Sequence, residues 1–326
     1  MQDLMFALNR VLPIVLLILL GFSLKKMKLI SKSTLDNLNK ICFRVFLPIS
    51  LFKSVYTAEG LSGFNFKLIG FIVGSLIFIF LITLVLVSIL VKDNRQKGSV
   101  LQAMVRPNYA YIGIPLAVSI AGPAGEQLAA MVALISIPLF NIMAVIALSI
   151  FVDNGEKKSI KQVLLKIAKN PLIHGVLIGM LCLIIRTIFI ELNIDFRLTD
   201  ISFLYEAIEK VAGASTPMAL LTLGGLFEFN EIKRVGKKLI TTIVVRQAII
   251  PIILFSIVYF LFDFGSSEYA VLIAVFGAPV AVSSAVMAKE MGSDDELANQ
   301  IVVWSTIVSS LTIFLLIFIF RLLNVL

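Results

Sequence analysis

Four charge-free apolar runs, Val11–Leu24, Leu68–Val91, Met131–Val152 and Ile301–Phe320, decide what this chain can fold into. Each approaches or exceeds the ~20 residues that carry a helix across a ~30 Å hydrocarbon layer. A soluble fold has no interior that could bury so many such faces. The composition agrees: 59% of the 326 residues are apolar and 15% are charged. Soluble domains sit near one half apolar and about a quarter charged. The first run is not followed by a small-residue cleavage site. The chain continues Lys25-Lys26-Met27-Lys28 into further apolar sequence, so the run reads as a retained span rather than a signal peptide.

The formal net charge of +8 does not point to nucleic acid. The basic residues fall in short clusters between apolar runs, without interleaved aromatics or a nucleic-acid motif. Cys42 and Cys182 both lie inside apolar segments and read as packing residues, not as a disulfide framework.

Hydropathy predicts an all-α integral membrane protein with ten transmembrane helices, at 5–24, 38–57, 66–91, 98–121, 127–152, 170–190, 203–226, 237–262, 268–289 and 296–322. The second, fourth, seventh and ninth are weakened by prolines and polar residues. Basic clusters follow the odd-numbered spans: Lys25, Lys26, Lys28 and Lys32; Lys92, Arg95 and Lys97; Lys157, Lys158, Lys161, Lys166 and Lys169; Lys233, Arg234, Lys237 and Lys238. The positive-inside rule puts those loops in the cytoplasm and both termini outside, in a plasma-membrane protein. The longest polar insertion, 153–169, interleaves lysines with Ile160, Val163, Leu164, Leu165 and Ile167. That pattern suits either an amphipathic helix on the inner lipid surface or a solvated linker.

This insertion divides the chain into a first five-span repeat, 1–152, and a second, 170–326. Five is odd, so a repeated half inserts upside down, as in many alternating-access transporters. Pro13 and Gly21 in span one parallel Pro171 and Gly179 in span six. Span four carries Gly113-Ile114-Pro115 and span nine Gly277-Ala278-Pro279. Proline removes a backbone donor, and glycine admits close approach or non-helical geometry. The freed groups cannot face lipid. Spans four and nine are therefore expected to be broken crossover helices that meet at mid-membrane.

Candidate substrate-binding residues follow from that expectation: Asn108, Tyr109, Tyr111, Gly113, Pro115, Gly277, Pro279, Ser283 and Ser284. The Asn108 amide can donate to a carboxylate or accept from a protonated acid. The tyrosines offer hydroxyls or ring walls, and the half-helix after Pro279 can turn its positive end toward an anion. Arg106, Lys53, Glu206 and Arg246 are candidates for coupling or gating, because ions within a membrane are costly. Each has a structural alternative. Arg106 can fix the broken helix or snorkel, Arg246 can bond backbone, and Glu206 with Glu209 and Lys210 can form an exposed charged cap. His174, the only histidine, suits a proton relay or an interfacial structural role. No metal or cofactor motif, ATP-binding run or nucleophile elbow is present in the sequence. The chain is therefore not expected to be an enzyme, and an ion gradient or the solute's own gradient would drive transport.

The segments Arg106-Pro107-Asn108-Tyr109-Ala110-Tyr111-Ile112-Gly113-Ile114-Pro115 and Phe276-Gly277-Ala278-Pro279, the latter followed by Ala288-Lys289-Glu290, resemble the auxin efflux carrier family, including its bacterial members. The likeness covers essentially the whole chain. It implies a ten-span fold of inverted five-span repeats within the bile-acid transporter-like superfamily. It also implies a scaffold part, a moving part that works as an elevator, and a site near Asn108, Gly113–Pro115 and Gly277–Pro279. Plant members export the auxin carboxylate, and bacterial relatives are linked with malate, malonate and other organic acids. The long cytoplasmic loop of the plant exporters is absent from this sequence. The expected partners are a small organic anion, a mono- or dicarboxylate, together with membrane lipids and a second copy in a homodimer. Proton coupling, sodium coupling and uniport are all compatible with these residues. A sodium-coupled symporter of a larger organic anion and a non-transporting membrane receptor are the competing readings.

Overall fold

In hydrocarbon a backbone can satisfy its own N–H and C=O groups only by coiling into a helix or closing into a barrel. The apolar runs of this chain coil. The computed structural model describes residues 2–57, 65–151, 169–227 and 231–326. Most of them lie in thirteen helices: α1 Gln2–Lys26, α2 Lys32–Ile41, α3 Leu47–Tyr56, α4 Phe66–Leu90, α5 Asn94–Val105, α6 Ile114–Ile150, α7 Pro171–Glu191, α8 Ser202–Leu226, α9 Glu231–Val244, α10 Ile250–Leu261, α11 Ser266–Phe276, α12 Ser283–Glu290 and α13 Asp295–Leu322. Among the described residues there is no sheet. The expected surface helix or linker at 153–169 lies, apart from Lys169, outside them.

Five stretches are long and apolar enough to cross a membrane: Phe66–Leu90, Tyr109–Ile150, Pro171–Glu191, Gly236–Leu261 and Asp295–Leu322. The protein is therefore multi-pass. At 1.5 Å per residue the 42 residues of Tyr109–Ile150 would reach about 63 Å, twice the apolar layer. The chain turns within this stretch at Gly122, whose φ of 58° and ψ of −143° only glycine adopts without strain.

Three π-helical turns, Cys42–Phe46, Tyr109–Gly113 and Val245–Ile249, precede α3, α6 and α10. In each case a proline, Pro48, Pro115 or Pro251, is the second residue after the turn. A proline ring clashes with the carbonyl four residues back in an α-helix. The π-turn widens the helix there, and Leu47, Ile114 and Ile250 donate five residues back, to Cys42, Tyr109 and Val245. The Gln247 carbonyl, which Pro251 leaves without its usual donor, accepts from the Thr312 hydroxyl at 3.2 Å.

Glycines set two close helix pairs. A methyl group on Gly224 of α8 would fall 1.9 Å from the Ile18 carbonyl oxygen of α1, and one on Gly21 of α1 would fall 2.1 Å from that of Leu221. The backbones of α3 and α7 approach in the same way at Gly175 and Gly179, against Pro48 and Phe52. Leu35 of α2 fills the space beside Gly225 of α8. A second packing group joins α5, α6, α11, α12 and α13, with α4 and α9 on its flanks, and meets the first where α13 packs on α1.

Two helical paths are interrupted. α5 stops at Val105, and the chain resumes helical geometry at Tyr109. α11 stops at Phe276, and α12 begins at Ser283. The halves α5 and α11 have 12 and 11 residues. That gives each a length of about 16–18 Å, roughly half the apolar layer. The second interruption contains Pro279, as expected. The first does not fall at Pro115. A residue before proline is pushed out of the helical region, and Arg106, before Pro107, takes φ −118° and ψ 86°. Ile114, before Pro115, stays helical at φ −58° and ψ −52°, because the π-turn absorbs the ring. Pro107 is the breaker, and Pro115 only shapes the helix that follows.

Candidate functional site: the crossing of two broken helices

The two interruptions lie side by side as a short antiparallel bridge between Pro107 and Val280. The Asn108 N–H donates to the Pro279 carbonyl at 2.7 Å, and the Ala281 N–H donates to the Arg106 carbonyl at 3.1 Å. The Val280 N–H donates to Ser305 Oγ of α13 at 3.2 Å. Backbone groups freed by leaving the helix are thus paired with one another, as burial requires.

Arg246 secures one side of the crossing. Its guanidinium is 2% exposed and donates to the carbonyls of Phe276 at 2.8 Å and of Val275 and Ala278 at 3.3 Å. These are the orphan acceptors at the end of α11, where a cation also suits the negative end of the helix dipole. Arg246 does not line the crossing cavity.

A small cavity of about 80 Å³ lies against the bridge, between α3, α8, α6 and the start of α12. Arg106 lines it and is 3% exposed. Its guanidinium donates to Asn141 Oδ1 at 2.7 Å and to the Met287 sulfur. Asn141 is held in turn by its amide N–H on the Ile137 carbonyl at 2.7 Å. Both partners of Arg106 are neutral, and among the described residues it has no ion pair. A full positive charge therefore sits in the wall, balanced only by dipoles, where an anion would be strongly favoured.

Asn108 lines the same cavity, 4% exposed, and among the described residues its side-chain amide makes no hydrogen bond. Ser283 and Val282 line it at the start of α12. The Ser284 and Ala285 N–H groups are taken up by the Ala281 and Val282 carbonyls at 2.9 and 3.2 Å, which leaves the Ser283 N–H as the first without an intrahelical acceptor. Tyr109 gives its hydroxyl to the Ala129 carbonyl at 3.0 Å and sets its ring edge-on to Phe140, 6.2 Å between centroids. Tyr109 is a wall, and its hydroxyl is already engaged. Tyr111 pairs its hydroxyl with Ser50 Oγ at 3.0 Å.

Ser50, Ser54, Ala110, Tyr111 and Ile137 also line a wider cavity of about 310 Å³, which runs past Lys53 and Thr57 at the end of α3. The crossing is thus reached from the α3 C-terminal face. Lys53 lines that approach and pairs with Glu209 at 2.7 Å.

Several expected residues stand elsewhere. Gly113 is a packing glycine: a methyl group there would meet the Tyr109 ring at 2.6 Å and the Ala274 carbonyl oxygen at 2.7 Å. Gly277, Pro115, Pro279 and Ser284 do not line the crossing cavity, though the Pro279 carbonyl builds the bridge. Glu206 forms an exposed i,i+4 pair with Lys210 at 2.7 Å, the charged cap of its structural alternative. Sequence reasoning did not single out Asn141, Phe140, Ser50 or Thr216 as site residues, yet all four line the cavity. Asn141 carried a usable signal, being a lone amide in the middle of an otherwise apolar span.

The family model described as "Membrane transport protein" matches residues 6–317, nearly the whole chain. No curated protein matches it.

Proposed function

Because the chain belongs to the membrane transport protein family, we propose that the crossing is its solute site and that it is a secondary transporter of small organic anions, mono- or dicarboxylates. The observation that carries this reading is Arg106, a buried guanidinium in the cavity wall with only neutral partners. A carboxylate entering the cavity exchanges hydration for this charge, for the unengaged Asn108 amide and for the Ser283 N–H at the start of α12. Phe140, Ile137 and the Tyr109 ring would limit its size and shape.

We place the chain in the auxin efflux carrier branch, with ten spans in two inverted halves. The close helix pairs support this. Gly21 of span one meets the backbone of span seven, and Gly179 of span six meets that of span two. This is the exchange of partners that an inverted five-span repeat demands. The interruptions in spans four and nine occupy matching places in the two halves and pair with each other. In the proposed cycle the group that holds the crossing moves as a rigid body against the α1–α3, α7 and α8 group, exposing the site to each side in turn.

Purified protein in proteoliposomes, offered labelled mono- and dicarboxylates under separately imposed proton, sodium and electrical gradients, tests the proposal. At least one carboxylate should cross, and Arg106→Gln should weaken its binding by about ten- to a hundredfold, the weight of a charged hydrogen bond. Asn108→Ala should reduce affinity by about tenfold. Unchanged flux in both variants, or uptake of none of the carboxylates by the parent protein, overturns it.

A further inference from the structure

The two packing groups touch differently at their two ends. On the side of the α3 C-terminus they stand apart, and the cavities past Tyr111 and Lys53 lie between them. On the opposite side α2 is tied to α12. Lys289 Nζ meets Asp36 Oδ1 at 2.6 Å, and Asn39 Nδ2 donates to Glu290 Oε1 at 2.9 Å. The same Asn39 amide lies 3.5 Å from the Val286 carbonyl. Asn39 is 2% exposed, and the Asp36 and Lys289 side chains are 36% and 21% exposed. The contact is therefore sheltered, which strengthens it relative to an open surface pair.

Each half of this contact is anchored in its own group. Leu35 fixes α2 on Gly225 of α8. The α12 end is fixed to α5: Gln96 donates to Asp294 at 3.0 Å, Ser99 to the Asp294 carbonyl at 2.8 Å and Gln102 to the Ser284 carbonyl at 3.1 Å. Separating α2 from α12 therefore moves the groups apart at this face, while α13 still packs on α1, and does not merely bend one helix.

We propose that Asp36–Lys289 and Asn39–Glu290 form a polar latch that closes the site toward the α2 face and so holds the state open on the α3 C-terminal face. The latch rests on the transport reading above. On this face the groups meet through side-chain pairs, beside a cavity of about 260 Å³ lined by Phe43, Ser149, Asn170 and Glu290 that shares no lining residue with the crossing cavity. Removing a pair present in one state alone shifts the equilibrium toward the other by the energy of that pair.

Accessibility of Val286, 1% exposed behind the latch, reads the state without any substrate. In a Cys42→Ala/Cys182→Ala background, Val286→Cys should react slowly with a membrane-impermeant maleimide applied from the α2 face. Adding Asp36→Asn and Asn39→Ala should raise that rate about three- to tenfold. In a second arm, Asn39→Cys/Glu290→Cys is oxidised. The cross-linked protein should still bind a transported carboxylate from the α3 face but lose flux, and reductant should restore it, which also proves the fold intact. Unchanged labelling after latch removal, or full flux through the cross-linked protein, overturns the latch and leaves the anion site standing. Failure of the parent protein to move any carboxylate strikes the transport reading instead, and the labelling arm still decides the latch.

Discussion

Arg106 and Arg246 are both buried guanidiniums at the same crossing, and their surroundings give them opposite energetic signs. Arg246 satisfies three carbonyls at a helix end. Its replacement by Met orphans those acceptors and should cost about 3 kcal/mol, seen as a lower unfolding temperature of the detergent-solubilised protein. Arg106 holds one amide oxygen and a sulfur while keeping an unbalanced charge out of water. Arg106→Gln should therefore leave unfolding temperature unchanged or raised even as anion binding is lost. A fall in stability as large as that of Arg246→Met would assign Arg106 to architecture. Asn108 and Arg106 stand out in the sequence, because polar residues beside Pro107 are conspicuous in an apolar setting, but only Asn108 reads there as a solute ligand, and Arg106 reads as a residue that couples, gates or fixes the helix. Ser50 and Thr216 were not legible as cavity residues. They arrive from two other spans, and nothing in their own neighbourhood tells which face of a helix meets the crossing.

Among the elements, the prolines divide by what surrounds them. Pro48, Pro115 and Pro251 follow π-turns and continue a helix, whereas Pro107 and Pro279 lie in chain that leaves helical geometry. Sequence spacing cannot separate these outcomes, since both start from the same missing donor. For this reason Gly-x-Pro located the interruption correctly between α11 and α12, and seven or eight residues late between α5 and α6. The strongly apolar spans were plain from composition, because length and lack of charge alone define them. The close pairs of α1 with α8 and of α3 with α7 depend on glycine backbones that touch. Gly224→Ala must push α1 away, since its methyl group would meet backbone 1.9 Å off, and backbone cannot swing aside as a side chain can. A loss of several kcal/mol is expected, on the scale of ~1–3 kcal/mol for ordinary overpacking and above it here. Gly213→Ala, inside α8 where nothing lies within 4 Å, is the control and should unfold at or slightly above the parent temperature.

For the whole molecule, the basic clusters predict which face is cytoplasmic, and this sets the direction in which the site opens. Single cysteines at exposed Lys210 and Asn324, in a background without Cys42 and Cys182, should react with an impermeant maleimide added outside intact cells. One at exposed Lys92 should react only after permeabilisation. The reverse pattern would invert the molecule and place the α3 approach inside. The bridge between Pro107 and Val280 has a mechanical consequence at this scale. Its two hydrogen bonds lie away from water, so parting them leaves two donors and two acceptors unsolvated, at a cost of several kcal/mol. The broken rods are thus stitched together at their weakest points. Any push on one is handed to the other at once, and whatever rests between Arg106, Asn108 and Ser283 rides in a single stiff cradle.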